Sequence, residues 1–367
     1  MKIHFDNQIF RLQKYGGISK YFVRLIEELV DLEQKPKVMG GVYMNAYLSE
    51  LESDLVHGFH FDKYPKKGLR ALFKAGNLWN EAYSILQTPD IIHETYFESS
   101  PILKGKSKAR VTTIYDALHE KYPDLFPKAQ LKTAEKQASF DRSDLIFSIS
   151  HHTKQDTIEL FKVPEEKVKV VHLAADPPIP ENQIVYPKAM DRPFFLFVGI
   201  RMQHKNFNRF IQAFAASADL KREFDIVSIA NFGFSQEEKQ LFRDLNLRED
   251  QVRHVKADDP LLAGFYKKAH AFVYPSIYEG FGIPPLEAMA YGCPVVCSNS
   301  SSLPEVVGDA ALTFDPLNVE EMKTQLEKIA WDTELRNDLI EKGYAQTKRF
   351  SWKKMAQETL MHYQTLV

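Results

Sequence analysis

Short β-type runs alternate with longer helical patterns along this chain, and the alternation breaks once, in a proline-rich stretch. KIHF (Lys2–Phe5) reads as a first strand. ISKYFVRLIEELVDL follows with Ile18, Phe22, Leu25, Ile26 and Leu29 at helical spacing. Strand-like runs recur at KVMGG, DIIHE, VTTIYD, LIFSIS and VKVVHL. Then comes DPPIPENQIVYPKAMDRP (Asp176–Pro193), with prolines at 177, 178, 180, 187 and 193. Proline has no backbone donor for a sheet and stiffens an extended connection. Beyond it, FFLFVG, FDIVSIA, VRHV, AFVYPS and PVVCSN read as strands, with helices at NFNRFIQAFAASA and PLEAMAYG. Strands separated by helical patterns predict parallel sheets covered by helices. At 367 residues the chain exceeds what one core usually organises. We therefore expect an α/β fold with domains at 1–175 and 194–350, a linker at 176–193 and a C-terminal helix at 351–367. Trp352, Met355, Thr359, Met361 and Tyr363 are that helix's candidate packing residues. A cleft between such domains favours ligands at strand C-terminal ends and helix N-termini.

The 47 basic and 49 acidic residues leave a formal net charge of -2, which argues against a nucleic-acid binder. Cys293 and Cys297 read as reduced structural thiols, since no further cysteine completes a zinc site. The first residues lack a long apolar run, so no signal peptide is expected, and no stretch is long enough to span a bilayer.

The sharpest local signal is PSIYEGFGIPPLEAMAYGCPVV, a strand, a glycine-broken loop and a helix. Gly280 and Gly282 allow close backbone approach, Pro284 or Pro285 suits a helix start, and amides near Phe281 and Ile283 can face phosphate. Glu287 suits ribose hydroxyls and Glu279 a donor sugar; the plainer alternatives are a loop cap and a helix N-terminal charge. In VGIRMQHKNFNRF, Arg201 and Lys205 can offset two phosphates and stabilise a leaving diphosphate, or simply form a solvated basic turn. Asn206 is a candidate cap for the next helix. Gly16 and Gly17 offer backbone amides or a packing turn. Asp116 and His119 follow a strand and can bind sugar hydroxyls or serve structure. His93, Glu94, His151 and His152 read more plainly as hydrogen-bonding and capping groups. His204 reinforces the basic loop or faces solvent. Asp258, in KADDP, is a candidate for approaching a base. Its neighbour Asp259 points away from it in an extended pair, so the two make no persuasive metal site. Metal-independent chemistry is expected.

YGGISKYF, VGIRMQHKN and YPSIYEGFGIPPLEAMAYGCPVV followed by SSLPEVVGDAAL resemble the retaining glycosyltransferases of family 4, over nearly the full chain. The resemblance implies the GT-B fold: two Rossmann-like domains facing across a cleft, the first binding acceptor, the second nucleotide sugar. It also implies that the C-terminal helix crosses back to the first domain. It matches Glu279 and Glu287 to the donor-sugar and ribose pair, Arg201 and Lys205 to the phosphate pair, and Gly16 and Gly17 to the N-terminal glycine loop. Many relatives carry His-Asp where this chain has Tyr115-Asp116, and the expected base-binding turn departs from the glycine-containing pattern.

YGGISKYF, ESSPILKG and DALHEKYPDLFP look similar to bacterial enzymes that build surface polysaccharides. That likeness implies transfer of mannose from GDP-mannose to a glycan or lipid-linked oligosaccharide, with UDP-hexoses the alternative donors. No cofactor beyond the nucleotide-sugar substrate is implied. A GT-B epimerase, a sugar phosphorylase and a nonenzymatic glycan-binding protein remain the competing readings. Trp79, Tyr83, Tyr96 and Phe97 are candidate sugar-stacking or core residues. Lys66, Lys67, Arg70 and Lys74 form a basic, partly amphipathic stretch that can meet an anionic membrane or lie solvated. The expected location is cytoplasmic, with possible peripheral contact at the inner membrane face.

Overall fold

The computed structural model describes residues 1–65, 67–188 and 190–367; Lys66 of the basic stretch and Ala189 of the linker lie outside them. The chain divides into two compact units, Met1–Leu173 with Trp352–Val367, and Ala174–Ser351.

The first unit is built on β1 (Lys2–Phe5), β2 (Lys35–Tyr43), β3 (Val56–His60), β4 (Ile91–Glu94), β5 (Ala109–Ile114), β6 (Leu145–Ser148) and β7 (Val168–Val170). They form one parallel sheet in the order β3-β2-β1-β4-β5-β6-β7. The chain runs outward from β1 in one direction, then returns to β4 on its other side. That reversal, at β1/β4, is the position where open α/β sheets leave a crevice for ligands.

The helix Gly17–Asp31 buries Phe22, Leu25, Ile26 and Leu29 completely. Trp352–Gln364 packs beside it, within the same unit. Trp352, Met355, Thr359 and Tyr363 are buried, as their spacing suggests, but Met361 is 53% exposed and Leu360 takes the inward position. Tyr363 reaches the sheet: its hydroxyl and His93 Nδ1 share a 2.5 Å hydrogen bond, while His93 Nε2 meets Thr113 Oγ1 at 2.8 Å.

The second unit carries β8 (Phe194–Val198), β9 (Asp225–Ile229), β10 (Val252–Val255), β11 (Ala271–Tyr274), β12 (Val295–Ser298) and β13 (Ala311–Phe314). Its parallel order is β10-β9-β8-β11-β12-β13, with the reversal at β8/β11. Phe195, Phe197, Phe207, Phe210 and Phe214 fill the core on one face. The proline-rich segment belongs to this unit and is pinned to it: the Ile179 amide donates to Tyr291 Oη at 3.1 Å, and that of Val185 to Pro260 O at 3.1 Å.

β3 and β13 are additions to the strands expected from sequence. Both are edge strands with half-exposed residues, so neither carries a strong apolar run. In β3, a Cβ on Gly58 would lie 2.6 Å from the Gly41 amide nitrogen, so only glycine allows the strands to approach there.

Candidate donor site

Two loops meet at the β8/β11 reversal. After β8, Gly199 adopts φ +130°, and a short turn at Gln203–Lys205 follows. Asn206 then takes a left-handed conformation, φ 59°. It stands at the helix N-terminus, as expected, but makes no side-chain cap bond. Its amide nitrogen instead donates to Pro275 O at 3.0 Å and Pro316 O at 2.7 Å, tying the β8 loop to those after β11 and β13. The Ile277 amide completes the tie by donating to His204 O at 2.7 Å. His204 itself is buried rather than solvent-facing.

This tie places Lys205 Nζ 2.6 Å from Glu279 Oε1 and 3.3 Å from Tyr274 Oη. The lysine side chain is 21% exposed and the carboxylate 13%, so the ion pair is partly open to solvent. Burial, reinforced by Glu279, raises the Tyr274 hydroxyl well above its ordinary range, so it stays a neutral donor.

Four serines brace the β11 loop. Ser298 donates to Ser276 O, Ser300 to Ile277 O, and Ser302 to both Glu279 O and Phe281 O, at 2.5 to 2.9 Å. Ser301 accepts from the Glu279 amide at 2.9 Å. Sequence reasoning passed over this role, although the run SNSSS directly after an apolar strand was its signal. Gly282 has φ +122°, and a Cβ there would also lie 2.7 Å from Leu303 Cδ2. The helix Ile283–Ala290 then begins with Pro284 and Pro285. Neither has an N–H, so the donors left to face an anion are the Gly282 and Ile283 amides. The Phe281 ring packs on Phe350 and is buried, so only its backbone can serve a ligand. Glu287 sits mid-helix, where Tyr266 Oη donates to it at 3.3 Å.

Arg201, expected beside Lys205 at the phosphates, has partners of its own, and its side chain is only 6% exposed. Its Nε donates to Glu238 at 2.7 Å, Nη1 to Ser228 at 3.3 Å, and Nη2 to the Phe232 and Gly233 carbonyls at 3.0 and 2.7 Å. The Phe234 ring lies 4.7 Å from the guanidinium carbon. A guanidinium has five N–H donors, and this cage uses most of them. Arg201 thus clamps the loop after β9, while Lys205 carries the charge at the strand reversal. Asp258 is the residue expected to approach a base. It is exposed, follows the edge strand β10, and caps the helix Asp259–Lys268 by accepting from the Leu261 amide at 3.1 Å.

In the first unit, Gly16 precedes the helix in extended backbone, and Gly17 is exposed with open space where a Cβ would stand. At the β1/β4 reversal Asp6 is fully buried. It accepts from the Thr95 amide at 3.0 Å, Thr95 Oγ1 at 2.6 Å and Gln8 Nε2 at 2.7 Å. Glu94, also buried, holds Arg110 and Arg142, a structural role in line with its plainer reading. Tyr115 is buried and donates to Thr95 O at 2.8 Å, so it stands in the framework. Asp116 accepts from the Leu118 amide at 3.0 Å and remains partly exposed. His119 packs on Phe126 at 4.6 Å. Its Nδ1 is buried without a hydrogen-bond partner among the described residues. Burial and then Lys136 lower its pKa. Among the aromatic candidates, Phe97 is core, Tyr96 and Tyr83 are half-buried, and Trp79 is exposed.

Residues 15–178 match the family described as Glycosyltransferase Family 4, and residues 178–346 the one described as Glycosyl transferases group 1. The two matches run end to end from residue 15 to 346, and the chain is a glycosyltransferase. It is 28% identical over 386 aligned residues to the O-antigen chain mannosyltransferase B of Escherichia coli, covering 95% of this chain and 96% of that protein. It is 30% identical over 238 residues to the serotype-specific mannosyltransferase WbdA of Escherichia coli, covering 59% of this chain but only 28% of WbdA. Among solved structures, the sucrose-phosphate synthase of Thermosynechococcus elongatus superposes with a TM-score of 0.76 at 18% identity, covering 100% of this chain and 98% of that one. That likeness places this glycosyltransferase in the GT-B fold.

Proposed function

We propose that this glycosyltransferase transfers mannose from GDP-mannose to a glycan or lipid-linked oligosaccharide in surface-polysaccharide synthesis. In this reading transfer retains the anomeric configuration and needs no metal ion. The observation that carries the nucleotide-sugar reading is the Lys205–Glu279 pair at the β8/β11 reversal, 2.6 Å apart and partly open to solvent. A similar chain along nearly its whole length is a mannosyltransferase by name, which favours mannose as the sugar.

In this reading Lys205 meets the donor phosphates, with the Gly282 and Ile283 amides as further donors. Glu279 accepts a sugar hydroxyl and Glu287 the ribose hydroxyls. Gly16 and Gly17 offer amides, while Asp116 and His119 hold the sugar or acceptor. The acceptor hydroxyl attacks the anomeric carbon from the face the diphosphate leaves. A phosphate oxygen takes its proton, and Lys205 stabilises the departing charge. A carboxylate pair of the glycosidase kind is then unnecessary.

The test is turnover of GDP-mannose with an oligomannoside acceptor in EDTA, following GDP release and reading the product's anomeric configuration by NMR. Retained configuration with undiminished rate supports the proposal. An inverted product overturns retention, loss of rate in EDTA overturns metal independence, and turnover of UDP-hexoses alone overturns the donor.

A further inference from the structure

The helix Leu69–Gln87 fully buries small and polar residues only. The residues it buries are Gly76, Asn80 and Ser84, four apart along one stripe. Each has a polar or close-contact reason to face inward. Asn80 Nδ2 donates to Met39 O at 2.5 Å, Ser84 Oγ bonds His4 Nδ1 at 2.9 Å, and a Cβ on Gly76 would already lie 3.2 Å from Val42 Cγ2. Leu69, Leu72, Phe73 and Tyr83 flank this stripe half-buried, and the outward face carries further apolar side chains: Leu78 is 63% exposed, Trp79 41%, Ile85 51% and Leu86 80%. At 3.6 residues per turn these four, with Ala71, Ala75 and Ala82, span an arc of about 120°. Phe59, 62% exposed on the neighbouring β3, stacks on Trp79 at 5.3 Å and widens the patch.

A helix of a water-soluble domain normally turns its apolar stripe toward the core. Here a second apolar stripe faces outward, with Trp79 also stacked on His57 at 3.8 Å, and charge says what covers it. Arg70 and Lys74 border the stripe on one flank, and Lys63 and Lys67 precede the helix; all four are exposed. Glu81 is the helix's one acidic residue, and it accepts from the Lys104 amide. Apolar side chains bordered by lysine and arginine are the makeup of a helix lying in a bilayer interface, with cations at anionic headgroups. No helix among the described residues is long and apolar enough to cross a membrane, so such a contact would lie in the interface plane.

We propose that Leu69–Gln87 docks the protein on an anionic bilayer, with Leu78, Trp79, Ile85 and Leu86 entering the acyl boundary and Lys63, Lys67, Arg70 and Lys74 meeting headgroups. This stands apart from the donor assignment, since it uses none of the donor-site residues.

The test is co-sedimentation of the full chain with phosphatidylcholine vesicles, with and without about one-third phosphatidylglycerol. The wild-type chain binds the anionic vesicles, and binding weakens as salt rises. A double variant Leu78→Gln/Leu86→Gln loses roughly tenfold or more in partition, because interfacial binding scales with buried apolar area. The charge variant Arg70→Glu/Lys74→Glu loses binding to anionic vesicles alone. Both variants keep the parent's circular dichroism and its affinity for nucleotide sugar, since the altered side chains are exposed. Equal binding by parent and variants, or no vesicle binding, overturns the proposal. So does a concentration-dependent dimer abolished by Leu78→Gln/Leu86→Gln, which would make a second copy the occupant, or quenching of Trp79 by oligomannosides without any effect of vesicles, which would make it a glycan platform.

Discussion

Lys205 and Glu279 lie 74 positions apart in sequence, yet their side chains meet at 2.6 Å, each carried by the loop that follows a strand at the reversal of the second sheet. The ammonium is held at the strand ends before any ligand arrives, and its counter-ion is a group able to accept sugar hydroxyls. Substituting Lys205 with methionine removes the charge at the proposed diphosphate position. We expect kcat to fall by roughly 10²–10³, the scale for losing one charge-stabilising group. The melting temperature should fall less than in Arg201→Met, because the Lys205 side chain has two partners where that of Arg201 has four. Steady-state kinetics beside a thermal melt checks both.

Arg201 should behave in the opposite way. Arg201→Met leaves Glu238, whose side chain is 12% exposed, without its partner. It also strips the clamp from the Phe232 and Gly233 carbonyls. The expected cost is about 2–4 kcal/mol of stability, toward the lower end of breaking a buried ion pair. Donor affinity should change far less than in Lys205→Met. Urea unfolding and donor titration of the two variants separate the roles.

Tyr363 fastens the C-terminal helix to the first sheet through His93. Tyr363→Phe leaves a buried imidazole nitrogen unpaired, costing about 1–3 kcal/mol. Met361→Gln, two residues earlier and exposed, should stay within about 0.5 kcal/mol. Equal effects of the two substitutions in urea unfolding would contradict the helix phase described above.

Three buried groups give the stability–pH curve opposing slopes. Burial lowers His93 to about 3, and burial with nearby Lys37 lowers His4 to about 4. Burial, with Glu94 adding to it, pushes Asp6 up to about 6. The histidines stay neutral in the native state but protonate in the unfolded chain below their ordinary 6.5. Their contribution is therefore full above pH 6.5 and is lost on acidification toward 4. Asp6 works in reverse: it favours the native state at low pH, and that contribution is lost as pH rises from about 4 to 6. Two protons against one leave a net loss on acidification. Asp6→Asn removes the opposing contribution and steepens the acid limb. At pH 8 it should melt no lower than the parent, since the unpartnered Gln8 Oε1 can turn to accept the new amide. Denaturation midpoints from pH 4 to 8 check both points.

Much of this architecture was legible because parallel strands buried on both faces are written as unbroken apolar runs, such as FFLFV and the VV of PVVCSN. The edge strands β3 and β13 were not, since an edge needs only one neighbour and tolerates half-exposed polar residues. The loop glycines announced a sharp turn ahead of the helix Ile283–Ala290. Side-chain direction in VGIRMQHKN was not announced. Arg201 and Lys205 straddle a loop, and the backbone there passes through an extended stretch and a short turn before Asn206 turns left-handed. Spacing rules for regular elements do not apply there, and the partner that captures Arg201, Glu238, lies 37 residues away.

The two thiols give a simpler check on the second unit. Cys293 and Cys297 are buried, and burial pushes each up to about 12. At pH 8 the native protein should resist a thiol reagent, and both thiols should react once it unfolds in urea. Rapid labelling of the native state would contradict the packing around β12.

The most direct test of the central claim is a calorimetric titration of GDP-mannose, in EDTA, into the parent, Lys205→Met and Arg201→Met proteins. The account predicts binding by the parent, a loss of about tenfold or more in Lys205→Met, the scale of one charge-assisted hydrogen bond, and near-parental binding by folded Arg201→Met. Equal affinity of parent and Lys205→Met would contradict it, as would a parent that binds no GDP-mannose.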